Sequence, residues 1–347
     1  MEKIVFCGGG TAGHVMPNIA LIEKLKDCVE IHYIGGSGIE KDIVLKYPYI
    51  KYHEIRTTKL IRKFTLKNLC IPFELIKAVK DAKKVLNDVK PKVIFSKGGF
   101  VSVPVVLAHG KIPVLGHESD YTMGLANKII YPRCKKMFFS FKTTANKYNK
   151  KGVYSGTPIR EEIFNRNKTK LLNSLKTNNG LKNILVVGGS TGAKKINEVI
   201  EASLDKLTKH YNVFHITGKN KNNATTHKNY YQFEYVENMG DFLSASDIII
   251  SRAGSNAIFE FLALKKRMIL IPLPLDQSRG DQILNARYFK QNNWAEVIPQ
   301  EKLNTDTLLE AVQKISQHKV KLTNTPKDNA VRIIVDEIRT YIQDTSK

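Results

Sequence analysis

Along this chain, short continuous runs of hydrophobic residues alternate with stretches in which hydrophobic residues recur at helical spacing. This alternation predicts repeated strand and helix units. Short apolar runs such as Ile4-Val5-Phe6 and Ile184 to Val187 are typical of buried strands. Glycine-rich turns follow both runs, and apolar residues at helical spacing come next. Alternation of this kind is typical of a parallel sheet with helices on both faces. We therefore expect an α/β fold whose binding crevices lie at the carboxyl ends of the strands.

The predicted elements fall into two halves. In the first half the pattern predicts strands at 3–6, 30–34, 92–96, 112–116, 136–140 and 152–155, and helices near 17–26, 38–47, 72–88 and 121–130. In the second half it predicts strands at 183–187, 212–216, 231–236, 247–251, 268–273 and 295–298, with helices after most of them. We expect one domain over 1–160, a second over 161–325, and an amphipathic C-terminal helix over 326–347 that packs back on the first domain.

Two glycine-rich loops, Cys7 to His14 and Gly188 to Lys194, each connect a predicted strand to a predicted helix. The start of a helix offers free N–H groups and the positive end of its dipole, so such a loop suits a phosphate. The alternative is a turn that uses glycine only for its geometry. The first loop also satisfies G-x-G-x-x-G, but the second strand ends in Gly35-Gly36-Ser37. The acid that would bind the ribose of NAD is missing there, which counts against a dinucleotide.

Composition narrows the class of protein without choosing a function. The 347 residues suffice for two domains, and the formal net charge of +23 favours anionic partners. The basic residues are spread along the chain and lack interleaved aromatic residues, so we expect no nucleic acid partner. No apolar run is long enough for a membrane helix, no leader precedes the first strand, and the cysteines lack paired spacing. These features predict a cytoplasmic protein with reduced cysteines and no zinc site.

Polar residues at other predicted strand ends are candidates for chemistry. His117-Glu118-Ser119-Asp120 follows the strand at 112–116, where Glu118 or Asp120 would be a general base if desolvated. Alternatively, Ser119 or Asp120 caps the helix at 121–130. His14 is a candidate base or diphosphate contact, with a capping role as its alternative. Arg160 would clamp a phosphate or remain a surface charge.

In the second half, the residues after the strand at 247–251 repeat the phosphate-site pattern. Gly254, Ser255 and Asn256 open a helix there, and Glu260 lies one turn further on, where a carboxylate suits ribose hydroxyls. A solvated or capping Glu260 is the alternative. Asp281 and Gln282 start a later helix after a polar loop, and we expect both to bind sugar hydroxyls.

Residues 56–84 combine basic and apolar side chains. Within the helix at 72–88 the spacing predicts a core face of Phe73, Leu75, Ile76, Val79 and Leu86. Basic and apolar residues together suit an anionic membrane surface, whereas a basic solvated loop over a local core is the alternative. The candidate membrane contacts are Lys59, Leu60, Ile61, Arg62, Phe64 and Phe73.

Several motifs occur in a specific order from the first strand to about residue 298. They are Gly9 to His14 with Pro17, Gly98 to Ser102, His117 to Asp120, Gly188 to Ala193, Arg252 to Gly254 with Glu260, Asp281-Gln282, and Asn285-Ala286. This set resembles the MurG family of N-acetylglucosaminyltransferases. The resemblance implies a GT-B architecture, with two Rossmann-like parallel-sheet domains that face each other across a deep cleft.

The resemblance also implies the reaction. It is an inverting transfer of N-acetylglucosamine from UDP-N-acetylglucosamine to the muramyl 4-hydroxyl of lipid I, which forms lipid II for peptidoglycan synthesis. No Asp-x-Asp motif is evident, so we expect no catalytic metal and no other cofactor. The expected location is peripheral, on the anionic cytoplasmic surface of the cell membrane.

By the same resemblance, His14 and Glu118 are the base candidates. Thr11, Ala12, Gly13 and His14 would face the donor sugar and the acceptor pyrophosphate, and Asp120 would be a further polar contact to the donor. The other implied donor contacts are Arg160 and Ser190 at the diphosphate, Val236 at the uracil with Met239 beside it, Gly254, Ser255 and Asn256 at phosphate, Glu260 at the ribose, and Asp281 and Gln282 at the sugar hydroxyls. Three motifs depart from the common family pattern, with Ala12 for Gly, Ser119-Asp120 for Gln-Asn, and Asp281 for Gln.

Other functions remain open on the sequence. A UDP-sugar 2-epimerase, or a lipid glycosyltransferase with a different acceptor, would share the fold and the donor. A basic nucleic-acid-binding or membrane-binding protein, in which the loops are only structural, is the alternative from another class.

Overall fold

The computed structural model describes residues 1–57, 71–164, 166–189, 192–219, 221, 225–317 and 329–343. The chain divides into two compact units. Unit 1 comprises residues 1–160 and 327–347, and unit 2 comprises residues 161–326. The polypeptide therefore leaves unit 1, builds unit 2, and returns to unit 1 at its C-terminal end.

Unit 1 is built from parallel strands and helices, here numbered along the whole chain. Its strands are β1 (Lys3–Cys7), β2 (Glu30–Gly35), β3 (Ile50–Glu54), β4 (Val93–Ser96), β5 (Val114–Glu118), β6 (Lys136–Phe139) and β7 (Gly152–Tyr154). Its helices are α1 (Ala12–Ile22), α2 (Ile39–Val44), α3 (Ile71–Val89), α4 (Ser102–Leu107), α5 (Leu125–Ile130), α6 (Lys142–Lys147) and α14 (Ala330–Gln343).

Unit 2 repeats the scheme. Its strands are β8 (Lys182–Val187), β9 (Tyr211–Ile216), β10 (Tyr230–Phe233), β11 (Ile248–Ser251), β12 (Arg267–Leu270) and β13 (Ala295–Val297). Its helices are α7 (Lys168–Ser174), α8 (Lys194–Ala202), α9 (Leu204–Leu207), α10 (Met239–Ala245), α11 (Ser255–Ala263), α12 (Asp281–Gln291) and α13 (Thr305–Gln317).

The strand order locates the crevice of each sheet. Among the described strands, the order is β3-β2-β1-β4-β5-β6-β7 in unit 1 and β10-β9-β8-β11-β12-β13 in unit 2. Neighbouring strands pair in parallel, as Val5 does with His32 on one side and Ile94 on the other. The order reverses beside β1 and beside β8, and ligands of such sheets bind at the carboxyl ends of the strands at that point. The predicted α/β fold is confirmed.

Apolar layers on the two faces hold the sheet of unit 1. On one face, Ile4, Phe6 and Tyr33 pack with Val15 and Ile19 of α1, and α14 adds Ile334, Val335 and Ile338 to the same core. On the other face, Val5, Ile34 and Ile94 pack against Ala82, Leu86 and Val89 of α3. Since the strands are buried on both faces, they read as continuous apolar runs in the sequence.

Some predicted elements have wrong bounds, and some elements of the structure were not predicted. α1 begins at Ala12, so Pro17 lies inside the helix rather than in its first turn and removes the hydrogen bond that would reach the Gly13 carbonyl. α5 begins only at Leu125, with Gly124 before it, so neither Ser119 nor Asp120 caps this helix. β3 and α4 were not predicted, and β10 ends at Phe233, three residues short of the predicted end.

The predicted core face of α3 was wrong in part, since Leu86 is buried and Leu75 packs against the same core, whereas Phe73 and Ile76 do not. Phe73 and Ile76 are exposed by 69% and 54%, whereas Ala78 and Ala82 are buried. A stripe through Ala78, Ala82 and Leu86 faces the sheet, because small residues let the helix lie close to the strands. The two larger residues near the start of α3 therefore face away from the core of unit 1.

Candidate active site

The carboxyl ends of β1, β4 and β5 bring three loops together in unit 1. The glycine loop after β1 and the loop after β4 are in direct contact, since a Cβ placed on Gly99 would collide with the carbonyl oxygen of Gly9 and lie 3.1 Å from His14 Nδ1. Gly99 also has a φ of +82°, which favours glycine. The sequence motifs around Gly9, Gly99 and Glu118 thus converge at the crevice of the first sheet.

His14 is oriented by a backbone carbonyl. Its Nδ1 lies 2.9 Å from Gly9 O and 3.1 Å from Thr11 Oγ1. A carbonyl oxygen only accepts hydrogen bonds, so Nδ1 carries the proton in the neutral ring and the lone pair lies at Nε2. A partly buried imidazole with its lone pair at Nε2 has the form that a general base requires.

Glu118 is engaged by its own loop. Its carboxylate accepts hydrogen bonds from Asp120 N at 2.9 Å, Gly124 N at 2.8 Å and Asn127 Nδ2 at 2.9 Å. The side chain is 5% exposed. Because both oxygens bind loop donors, Glu118 is well suited to hold the loop that carries Asp120. The geometry favours His14 over Glu118 as the base.

Two buried charged residues of this region were not recognised in the sequence. Glu40 is 1% exposed, and its carboxylate accepts hydrogen bonds from Gly10 N at 3.0 Å and Gly36 N at 3.1 Å. The Gly10 donor, one of the N–H groups expected to face a phosphate, therefore binds Glu40 instead. Lys97 is 2% exposed, and its Nζ lies 2.6 Å from Ser119 Oγ. The partners of both residues are distant in sequence, so no local motif reveals them.

Unit 2 contains a cavity of about 670 Å³ at the carboxyl ends of β8 and β11. This volume lies within the range of small-molecule sites. Among the residues expected to bind the donor, Gly254, Glu260 and Gln282 line it together. The other lining residues include the second glycine loop and several polar and apolar side chains, namely Gly188, Gly189, Gly192, Ala193, Lys194, Lys195, Glu198, Met239, Arg252, Phe261, Gln277 and Gln300.

Buried polar contacts fix the wall of this cavity. Arg252 donates to Ile271 O at 3.1 Å and to Gln300 Oε1 at 2.6 Å. Burial lowers the pKa of its guanidinium. Asn285, which is fully buried, donates to Ala253 O at 3.2 Å. These bonds hold the turn before α11 against α12 and against the loops that follow β12 and β13, so Gly254 of this turn is fixed at the wall of the cavity.

The remaining predicted donor contacts lie near the cavity or elsewhere. Ser255 and Asn256 begin α11, and Asp281 begins α12, where its carboxylate lies 3.5 Å from Arg279 Nε. Val236 follows β10, and none of these four lines the cavity. Gln282 Oε1 accepts from Leu273 N at 3.1 Å, which leaves its amide NH2 as a donor to a ligand. In unit 1, Ala12 and Gly13 begin α1, and Arg160 is the last residue before the chain enters unit 2.

Several predicted contacts lie outside the residues that the structure describes. They are Ser190 of the second glycine loop and the membrane candidates Lys59, Leu60, Ile61, Arg62 and Phe64. Within the described ranges, no helix is long and apolar enough to cross a membrane. In that same part of the chain, no group of three His, Cys, Asp or Glu side chains is arranged to hold a metal ion.

Comparison with known proteins identifies both halves of the chain. Residues 4–139 match the glycosyltransferase family 28 N-terminal domain, and residues 183–338 match the glycosyltransferase family 28 C-terminal domain. A protein of Clostridium botulinum (strain Alaska E43 / Type E3) is 47% identical over 355 residues, covering 99% of each chain. It is named UDP-N-acetylglucosamine--N-acetylmuramyl-(pentapeptide) pyrophosphoryl-undecaprenol N-acetylglucosamine transferase.

Two solved structures have the same fold. The crystal structure of Acinetobacter baumannii MurG matches with a TM-score of 0.75 at 24% identity, covering 98% of this chain and 100% of that one. The UDP-GlcNAc 2-epimerase of Neisseria meningitidis, solved with UDP-GlcNAc bound, matches with a TM-score of 0.68 at 16% identity, covering 98% and 100%. The GT-B architecture is thereby confirmed, but a transferase and an epimerase share it, so the fold alone does not decide the reaction.

Proposed function

The chain belongs to glycosyltransferase family 28, and from this membership we propose that it transfers N-acetylglucosamine from UDP-N-acetylglucosamine to a muramyl-pentapeptide acceptor on undecaprenyl pyrophosphate. The product is lipid II, the disaccharide precursor of peptidoglycan. The observation that carries this function is the 47% identity to a transferase of that name over 99% of both chains. The epimerase, in contrast, resembles this chain at only 16% identity.

We propose that the donor binds in the cavity of unit 2. Its volume of about 670 Å³ suits a nucleotide sugar, and its lining combines a glycine loop and a helix N-terminus with a carboxylate. Glu260 would accept hydrogen bonds from the ribose hydroxyls. Gln282 would donate its amide N–H to the sugar. Met239 and Phe261 supply apolar surface for the uracil ring.

The chemical step that we propose is one in-line displacement with inversion at the donor carbon C1. The muramyl 4-hydroxyl oxygen forms the new bond to C1 while the bond from C1 to the diphosphate oxygen breaks. UDP leaves with that electron pair. His14 takes the hydroxyl proton at Nε2, since the Gly9 carbonyl holds the ring proton at Nδ1. Glu118 acts through its loop rather than as the base.

The charge that develops on UDP would be met by the helix N-termini beside the glycine loops and by Arg160. We expect turnover to continue in the presence of a chelator. Strict dependence on added Mg²⁺ would contradict this part of the mechanism.

We propose that α3 brings unit 1 to an anionic membrane surface, where a lipid-linked acceptor resides. Phe73 and Ile76 are exposed near its start, and Lys77, Lys80, Lys83 and Lys84 lie on the same helix. Exposed apolar side chains next to lysines favour binding to anionic lipid, where each basic residue contributes about 1 kcal/mol. The net charge of +23 acts in the same direction.

The test is release of UDP from UDP-N-acetylglucosamine with and without a lipid I analogue, with analysis of the lipid product. We expect release only with acceptor, together with a lipid-linked disaccharide. Turnover that needs no acceptor would instead indicate a 2-epimerase. Failure to bind any UDP-sugar would refute both enzyme functions.

A further inference from the structure

Lys97 is a buried lysine at the meeting point of three strand ends in unit 1. It directly follows β4, and its backbone N–H donates to Cys7 O of β1 at 2.9 Å. A Cβ placed on Gly8 would lie 3.1 Å from the Cβ of Lys97, so the two residues are packed together. Lys97 Nζ reaches across to Ser119 Oγ at 2.6 Å, on the loop after β5. The side chain therefore connects the first glycine loop, the loop after β4 and the loop that carries Asp120.

The negative charges near Lys97 offset only part of the effect of burial on its ammonium group. Burial lowers its pKa to about 8, while the carboxylates of Glu118 and Asp120 raise it. Two other titratable groups packed nearby, Cys7 and His117, are neutral at that pH. Burial raises the pKa of the Cys7 thiol to about 11, and burial together with Lys97 itself lowers the pKa of His117 well below its usual range. The two carboxylates of the Asp120 loop are therefore the counter-charges of this lysine.

We propose that Lys97 is a positioning residue for the transfer reaction, whose ammonium holds the Asp120 loop against the first glycine loop and the loop after β4 through Ser119 and the carboxylates of Glu118 and Asp120. This inference rests on the proposed function. When Lys97 loses its proton, the loop loses the positive charge that this lysine supplies to its two carboxylates. Small displacements of groups near reacting atoms reduce turnover steeply, by as much as about 100-fold for 1 Å.

The proposal predicts how turnover changes with pH. The ammonium is present below about pH 8 and lost above it, so turnover should fall as the pH rises through that value. Folding stability changes in the opposite sense. Between the lowered pKa of the folded chain and the ordinary lysine pKa, the unfolded chain holds more protons, so this group's contribution to stability grows as the pH rises. A loss of turnover above pH 8 is thus not explained by unfolding through this lysine.

The experiment measures kcat and KM of the full-length protein for both substrates between about pH 6 and pH 10 in wild type and three variants. The wild type should lose kcat with a midpoint near 8. Lys97→Met replaces the side chain with an uncharged one that is shorter by one atom. This variant should have a maximal kcat about 10- to 100-fold lower than the wild type and should show no loss of kcat at alkaline pH, that is, no alkaline limb. Ser119→Ala removes an acceptor from the ammonium, so the midpoint should move to lower pH.

Lys266→Met is the matched control. This half-buried lysine of unit 2 also has its pKa lowered to about 8 by burial, and its Nζ donates to Ser244 O at 3.0 Å and Ser246 O at 2.8 Å. Its variant should keep the alkaline limb. The titration of Lys97 is read separately from turnover by NMR of ¹³C-labelled lysine, where Lys97→Met identifies the signal.

An alkaline limb that persists in Lys97→Met, or that does not move in Ser119→Ala, would overturn the positioning role while leaving the transferase function intact. If Lys97→Met does not fold, Ser119→Ala alone decides. Absence of transfer by the wild type at every pH would refute the proposed function itself.

Discussion

A backbone carbonyl determines which nitrogen of His14 can act as a base. The Gly9 carbonyl holds the proton at Nδ1 and leaves Nε2 as the basic atom. His117, the other histidine in the sequence motifs of unit 1, has the opposite arrangement, because its Nε2 donates to Gly156 O at 3.0 Å. Its lone pair at Nδ1 is fully buried, so no substrate atom reaches it. Two histidines at one crevice thus differ in role because of their hydrogen bonds.

Replacing His14 with Gln should lower kcat about 10²- to 10⁴-fold with little change in the KM for UDP-N-acetylglucosamine, because general base catalysis contributes that much to turnover. Steady-state kinetics of UDP release measure the effect. His109 offers a matched control, since its Nδ1 also lies 2.9 Å from a carbonyl oxygen, that of Ile112. His109→Gln should keep activity within about twofold of wild type. A His14→Gln enzyme with normal kcat would return the role of base to Glu118.

Glu260 should determine affinity for the nucleotide rather than the rate of the chemical step. Hydrogen bonds to a charged group are worth about 1.5–3 kcal/mol, and about 1.4 kcal/mol corresponds to a factor of ten. Glu260→Gln should therefore weaken UDP binding about tenfold or more in calorimetry. Glu310→Gln alters an exposed carboxylate on α13 of the same unit and serves as the control. Unchanged UDP affinity in Glu260→Gln would place the ribose elsewhere.

At the scale of single residues, the sequence revealed some residues of the candidate site but not others. His14, Glu118 and Glu260 stand out because each belongs to a recognisable motif at or after the end of a predicted strand. Glu40 and Lys97 do not, since their partners Gly10 and Ser119 lie 30 and 22 residues away. Glu40 also places a carboxylate beside Gly36, just after β2, where the sequence itself has no acid. The carboxylate comes from α2 and binds the loop backbone itself.

At the scale of elements, buried strands were predictable because both of their faces are apolar. β3 was not, because it is the edge strand Ile-Lys-Tyr-His-Glu and only Ile50 of it is buried. Phe73 and Ile76 of α3 were wrongly predicted to be buried because hydrophobic spacing favoured them, whereas packing against the sheet selected the small Ala78 and Ala82 beside the predicted Leu86. Periodicity alone does not show which of two apolar faces meets the core.

The exposed start of α3 leads to a prediction on membranes. Phe73→Asp and Ile76→Asp together should reduce binding to vesicles that contain anionic lipid by at least about tenfold, because burial of a large apolar side chain is worth about 1.5–3 kcal/mol. Co-sedimentation with vesicles measures the change. Both side chains are already exposed, so the fold should tolerate the replacements.

Leu45→Asp is the control for this prediction, because Leu45 is an exposed apolar residue of unit 1, 58% accessible, just after α2. It should bind vesicles as the wild type does, and added salt should weaken the wild-type interaction. Equal vesicle binding by the double variant would exclude this part of α3 as a contact.

At the scale of the molecule, the chain repeats one topology twice and then returns to its start. α14 packs Ile334, Val335 and Ile338 into the core that also holds Phe6 and Val15. Lys136 Nζ lies 2.6 Å from Glu337 and adds a polar contact between α14 and β6. Residues at the very end of the sequence therefore stabilise the unit that the first residues build. Sequence periodicity revealed an amphipathic helix here, but its partner surface is formed only in the folded unit.

Because α14 packs in the core of unit 1, we expect a substitution in α14 to lower the unfolding free energy of unit 1 but not that of unit 2. Ile338→Ala should destabilise unit 1 by about 2–5 kcal/mol, because Ile338 is fully buried and its loss leaves a cavity. Trp294 is the single tryptophan of the chain and lies in unit 2, packed on Tyr288 and Phe289, so its fluorescence reports on that unit alone.

In urea, far-UV circular dichroism of the Ile338→Ala variant should show an earlier transition, whereas the fluorescence transition of Trp294 should stay at the wild-type urea concentration. Arg332→Ala changes an exposed residue of the same helix and should stay within about 0.5 kcal/mol of wild type by both signals. An equal shift of both signals in Ile338→Ala would mean that the two units unfold as one. No shift in either would mean that α14 contributes little to unit 1, against the packing of Ile334, Val335 and Ile338 in its core.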